Sequence, residues 1–316
     1  MKGLSRLFFI AILGSVITMY SCSNAKTRVD DETPTRGNIV IGVDDSYRII
    51  AEAELYTFQA LYTYAHIKPL FLPEDSVLQL YLKDSIRMMI TSRKLNKNEE
   101  AYLESKQIVP RTTTFAFDAV AFILNHNNPD TLIRYNSIRD VFTGKISKWN
   151  QVNKKSKLDD ISIVFDNTRS ANVRYMIEKF NLKAGLPKNC FSAGTNDEVV
   201  SYVEKHPNAL GIISVNWVSD PQDSVSHGFL KRVKVAAVSS EFYSDGNDFY
   251  YPHPAYIADK SYPFIREVYV INRETFNGLG TGFIQFLTYE NGQRIVLRGG
   301  MVPATMPIRL MRVKKE

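Results

Sequence analysis

Three short turns hold most of the side chains in this sequence that could grip a small ligand: Asp44-Asp45-Ser46-Tyr47, Thr91-Ser92-Arg93, and the run from Asp166 to Asn172. Each follows an apolar stretch, and the first and third open helical patterns. Free backbone N–H groups and the helix dipole favour an anion at such a helix start. Ser46, Thr91, Ser92 and Ser170 add hydroxyl donors and Asn172 an amide, while Arg93 and Arg169 can hold an oxyanion through two parallel bonds. The same residue types are ordinary N-caps, so each turn taken alone also fits a purely structural role. Asp45 and Asp166 sit awkwardly in this picture. Bare carboxylates beside a dianion are unfavourable unless a proton or an arginine compensates. Arg48, Arg93 and Arg169 are the arginines near enough in sequence to do so.

Other chemistries find less support. His66, His126, His206, His227 and His253 show no zinc-type spacing, and no G-x-S-x-G elbow, P-loop or G-x-G-x-x-G is present. No catalytic residue, metal ligand or cofactor is expected, and the chain reads as a non-enzyme. Cys190 reads as a small apolar residue rather than a reactive thiol. The formal charge of +6 is spread along the chain and forms no nucleic-acid patch.

The N-terminus carries an address. Lys2 and Arg6 precede an apolar run from Leu7 to Met19, which suits a signal-peptide core. Met19-Tyr20-Ser21-Cys22 follows, and a small residue before Cys resembles a lipoprotein signal. Residues 1–21 are therefore expected to be a removable leader, Cys22 a lipidated anchor on a membrane, and residues 22–37 a flexible tether, with an ordinary cleaved leader or an uncleaved anchor as the alternatives.

Beyond the tether, strand and helix patterns alternate, which implies an open α/β sheet with right-handed crossovers. Strands are expected at 38–43, 70–72, 88–90, 118–125, 161–165, 210–215 and 233–238. A helical face carries Val173, Met176, Ile177 and Phe180. Ser137 and Asp140 read as a capping box, with Gly144 as the left-handed residue after the helix. Residues 282–287 and 292–296 read as one kinked helix or two short ones.

The stretch Asp118-Ala-Val-Ala-Phe-Ile-Leu-Asn125, continuing through Ile138-Arg-Asp-Val-Phe-Thr-Gly-Lys-Ile146 to Trp149-Asn150, resembles the crossover into the second lobe of the phosphate-binding proteins that feed bacterial ABC transporters. Ser92-Arg93-Lys94-Leu95, Tyr262-Pro263, Gly282-Phe-Ile-Gln-Phe-Leu287 and Gly299-Gly300-Met-Val-Pro303 extend the likeness over nearly all of residues 38–316. The resemblance implies a two-lobe periplasmic-binding-protein-like (type II) fold, with mixed open sheets, helices on both faces and a ligand cleft between lobes. Lobe 1 would be 38–117 plus 249–316, and lobe 2 would be 118–248. It also implies a monomeric solute-binding protein that delivers phosphate, or another small anion, to a permease. The chain departs from the family where the ligand would sit. Relatives usually read R-x-D-G-S-G-T, whereas here Asp166 stands at the Arg, Arg169 and Ala171 at glycines, and Asn172 at the Thr. Their first loop, G-S-[ST]-T, is Asp44-Asp45-Ser46-Tyr47. These changes leave room for a different small ligand, or for a sensor or protein-interaction module that has lost phosphate binding.

Overall fold

The computed structural model describes residues 32–219, 228–241 and 248–307. The expected leader, Cys22 and most of the tether lie outside them. In β1 (Gly37–Asp44), Ile39, Ile41 and Val43 point into the core. This strand pairs in parallel with β2 (Ala65–Leu72) and β3 (Met88–Thr91). β2 starts five residues before the expected Leu70 and runs through Pro69. It lies at the sheet edge, where a missing backbone N–H costs little. Helices α1 (Arg48–Leu61), α2 (Glu74–Leu82) and α3 (Lys97–Ser105) make the connections.

β4 (Arg111–Asn125) is longer than its apolar core suggests, because Thr112 to Thr114 also pair into the sheet. These polar residues leave no buried run to read in the sequence. Past β4 come β5 (Leu132–Ile133), α4 (Tyr135–Phe142), α5 (Trp149–Val152), β6 (Ser162–Phe165) and α6 (Ala171–Lys179). Gly144 has φ +76° as its place after α4 requires. The capping box does not form: α4 starts two residues before Ser137, and Ser239 accepts the Tyr135 N–H at 3.0 Å. A side chain from a distant strand therefore does the capping expected of a local one.

β7 (Cys190–Ser192), α7 (Asn196–Lys205) and β8 (Ala209–Ser214) complete the second part of the sheet. The single strand expected at 233–238 is two, β9 (Val233–Val235) and β10 (Ala237–Ser239). β9 pairs with β4, after which the chain turns to join β5 and β11 (Phe249–Tyr250) in a separate small sheet. α8 (Pro254–Ala258) leads to β12 (Ile265–Asn272). α9 (Leu279–Thr288) and α10 (Glu290–Arg298) are separate helices, with β13 (Val302–Pro303) after them. Gly292 lets the two helices meet, since a Cβ there would lie 2.5 Å from the Phe286 carbonyl oxygen.

The main sheet runs β2-β1-β3-β12-β4-β8-β6-β7. β4 serves both halves. Its first part pairs with β12 over Arg111 to Ala119, and its second part with β8 over Val120 to Leu124. Val120 to Leu124 are fully buried, and the Phe122 and Phe264 rings meet edge to face at 4.8 Å.

Candidate functional site

The carboxyl ends of β1, β3, β6 and β8 converge, and the turns that leave them carry the polar cluster. Ligands of open α/β sheets bind at this edge. Glu74, at the start of α2, is its centre. Five hydrogen bonds end on its carboxylate: from Thr91 Oγ1 (2.6 Å), Ser92 N (3.1 Å), Ser92 Oγ (3.2 Å), Arg174 Nε (2.5 Å) and Arg174 Nη2 (3.2 Å). Burial acts to raise the Glu74 pKa, but the Arg174 charge and these bonds outweigh it and hold the carboxyl below its ordinary value. Thr91 and Ser92 belong to the first half of the sheet and Arg174, on α6, to the second. Glu74 therefore ties the halves together.

Asp44 makes a second tie. It ends β1, accepts Ser46 N at 2.8 Å, and accepts Ala171 N at 3.3 Å from the first turn of α6. It thus sits where a helix start would welcome a ligand anion. Burial, then the nearby Glu74 and Asp166 charges, push its pKa up to about 8. Asp166 follows β6 and accepts Ser170 Oγ (2.8 Å) and Asn172 Nδ2 (3.3 Å). Its pKa is raised by burial, against the pull of those two bonds. Ser170 Oγ in turn caps α6 by accepting Val173 N.

Arg266, on β12, is the second cation of the cluster. Its Nε donates to Asp118 Oδ2 at 2.8 Å, and Asp118 Oδ1 accepts Ser214 Oγ at 2.7 Å. The guanidinium lies over the Tyr47 ring, 5.2 Å from the centroid, and feels repulsion from Arg174. Arg266 is only 5 % exposed, yet neither amino nitrogen has a hydrogen-bond partner among the described residues. Ser46 Oγ, Tyr47 OH and Asn172 Oδ1 are likewise buried without a partner. Buried polar atoms of this kind call for an explanation, and service to a small polar ligand is one.

Further contacts close the edge over the cluster. Asn196 Nδ2 reaches Asp45 Oδ2 at 3.2 Å, and the Ser46 carbonyl accepts both Asn216 Nδ2 (2.8 Å) and Trp217 Nε1 (2.9 Å). Cavities of about 350, 160 and 700 Å³ occur elsewhere, and none is lined by a residue of the cluster. Among the described residues, no three His, Cys, Asp or Glu side chains are grouped to hold a metal ion.

Of the nine residues singled out from the sequence, Ser46, Thr91, Ser92, Asp166, Ser170 and Asn172 lie in the cluster. Asp45 stands at its edge, paired with Arg48 at 2.6 Å. Arg93 turns away to Glu99, also at 2.6 Å. The Arg169 side chain is exposed, and it is its carbonyl that accepts Asp75 N from α2. Compensation for the carboxylates comes instead from Arg174 and Arg266, which the sequence does not single out. Arg174 lies within an amphipathic helix and reads as a solvated residue. Glu74 follows Pro73 and reads as an ordinary first-turn acid. Cys190 is free and half-buried, with its thiol pushed up to about 12 by burial, so it carries little thiolate.

A family profile described as the PBP superfamily domain matches residues 29–291. This chain belongs to the PBP superfamily. A phosphate-binding protein PstS of Borreliella burgdorferi is 25 % identical over 226 residues, which span 68 % of this chain and 72 % of that one. A solved structure from Clostridium perfringens with bound phosphate covers 85 % of this chain and 100 % of its own, at TM-score 0.71 and 22 % identity. An ABC-type phosphate transport receptor from Vibrio cholerae covers 85 % of this chain and 100 % of its own, at TM-score 0.62 and 20 % identity. The type II binding-protein fold implied by the sequence is therefore the fold of this PBP-superfamily chain, and the relatives named here are binding and transport proteins.

Proposed function

We propose that this PBP-superfamily chain is a cell-envelope solute-binding protein that takes up phosphate, or a related small oxyanion, for an ABC-transporter permease. The observation that carries this reading is the edge cluster, where Ser46, Thr91, Ser92, Ser170, Asn172, Arg174 and Arg266 converge from both halves of the sheet. The names of the relatives support phosphate as the ligand. Asp166 fits a phosphate that keeps a proton, because its O–H can donate to one carboxylate, whereas sulfate has none to give; Asp44, pushed up to about 8, keeps its own proton at neutral pH. Asp45, Arg93 and Arg169 would stand at the rim. The lobes would be 38–117 plus 249–316 and 118–248, with Cys22 as the lipid anchor after removal of 1–21. The protein would act as a monomer and without a cofactor.

A second reading is favoured by one observation. Glu74 and Asp44 already accept the donors that an anion would use, so the fold could serve as a sensor or protein-interaction module that no longer binds phosphate. Thermal unfolding of the purified chain in millimolar phosphate or sulfate separates the two. Phosphate at a hundred times its Kd adds about 2.7 kcal/mol of stability, and sulfate adds markedly less under the transport reading. An unfolding curve that phosphate leaves in place favours the second.

A further inference from the structure

A carboxylate that accepts hydroxyl, amide and bidentate guanidinium donors together is bound as an oxyanion ligand would be. Glu74 is in that position, 1 % exposed, with five donated bonds from Thr91, Ser92 and Arg174. Beside it, Arg266 keeps two amino groups with no partner among the described residues, and Ser46 Oγ and Tyr47 OH are also unpartnered. One anion site is thus filled by the protein itself, and a smaller set of donors is left over. The cluster holds four carboxyl groups, of Asp44, Glu74, Asp118 and Asp166, against the two guanidinium groups of Arg174 and Arg266; Asp44, pushed up to about 8, keeps its proton at pH 7, whereas Glu74 is held as the anion. A dianion would have to sit against the anionic Glu74 and three further buried carboxyl groups, which is unfavourable.

We propose that Glu74 is a resident anion: it occupies the oxyanion seat formed by Thr91, Ser92 and Arg174, and so limits the cleft to a ligand of low charge held by Arg266, Ser46 and Tyr47. The inference rests on the solute-binding reading, since it names the residue that selects the solute's charge. Glu74 then determines specificity, and the paired Arg174 is shared between closure and selection. Removing the carboxylate frees a seat for a mobile oxyanion without moving any donor.

The test compares sulfate and phosphate binding at pH 7, by calorimetry and thermal shift, in the unmodified chain, in Glu74→Ala and in Glu74→Ala/Thr91→Val. Glu74→Ala is expected to bind both ions at least tenfold tighter than the unmodified chain, and Thr91→Val to remove most of that gain. The unmodified chain also serves as baseline for the general stabilisation that sulfate gives proteins. If Glu74→Ala is unfolded in dilute buffer, the same seat predicts that sulfate restores a cooperative transition where sodium chloride at equal ionic strength does not. A folded Glu74→Ala that binds no tighter than the unmodified chain, or an unfolded one that sulfate does not restore, reduces Glu74 to a structural ion pair and overturns the proposal. The phosphate reading is judged on the unmodified chain and the Glu74 proposal on the difference between chains, so either can fail alone.

Discussion

Glu74 and Glu54 are buried alike, at 1 % and 0 % exposed, and yet their pKa values move in opposite directions. Glu74 stands at the strand ends among five donors, and its pKa is lowered although burial acts to raise it. Glu54 lies on the inner face of α1, between the core residues Ile50, Ala51, Leu55 and Phe58. Neither of its oxygens has a partner among the described residues, and burial alone raises its pKa to about 9. Partners rather than depth decide whether a buried carboxyl is an anion. Only the region with partners can recognise charge; the other holds a neutral acid that the fold tolerates.

The strongest test of this contrast is Glu54→Leu. In the unfolded chain Glu54 ionises near its ordinary value of 4.5, while the folded chain keeps the proton until about pH 9. The folded state then binds more protons between those values, and stability falls as pH rises through the window. Glu54→Leu should remove that loss and stabilise the protein by about 3–5 kcal/mol at pH 8, with little effect at pH 4.5. Urea denaturation at the two pH values measures it, and an equal effect at both would show that folding leaves the Glu54 pKa at its ordinary value.

Arg174→Ala should turn Glu74 into a second Glu54. Breaking a largely buried pair leaves an uncompensated charge and costs about 3 kcal/mol at neutral pH. The variant should also lose stability as pH rises above the ordinary carboxyl range, because the folded Glu74 now keeps its proton longer than the unfolded one. A destabilisation independent of pH would mean that Thr91 and Ser92 alone keep Glu74 ionised. Thr91→Val is the smallest step. It deletes one donor at 2.6 Å and should cost about 1–2 kcal/mol, with the Glu74 titration, followed by carboxyl NMR, moving upward.

Much of the fold could be read from the chain because its central strands are apolar without interruption. Val120 to Leu124 and Leu210 to Ile213 announce a sheet covered on both faces. The start of β4 and the short β7 were not legible, since their residues are polar or half-exposed and are placed by their partners. The turns of the site were legible for a similar local reason: hydroxyl and amide residues cluster where strands end. Glu74 and Arg174 were not. They stand 100 residues apart, and nothing in the sequence near either one marks the other. Arg266 is hidden in another way, as one cation in a central strand whose partner Asp118 lies 148 residues away.

Asp118 also has a mechanical consequence. It sits on β4 one residue before the end of the pairing with β12 and two residues before the pairing with β8 begins. With Arg266 on β12 and Ser214 on β8 bound to its two oxygens, it fastens three strands at the point where the sheet changes partner. A joint riveted by one buried carboxylate resists sliding, because any slip would strand a charge. The rivet belongs to the same cluster as the ties at Glu74 and Asp44, so the seam between the two halves is pinned where its buried charges meet.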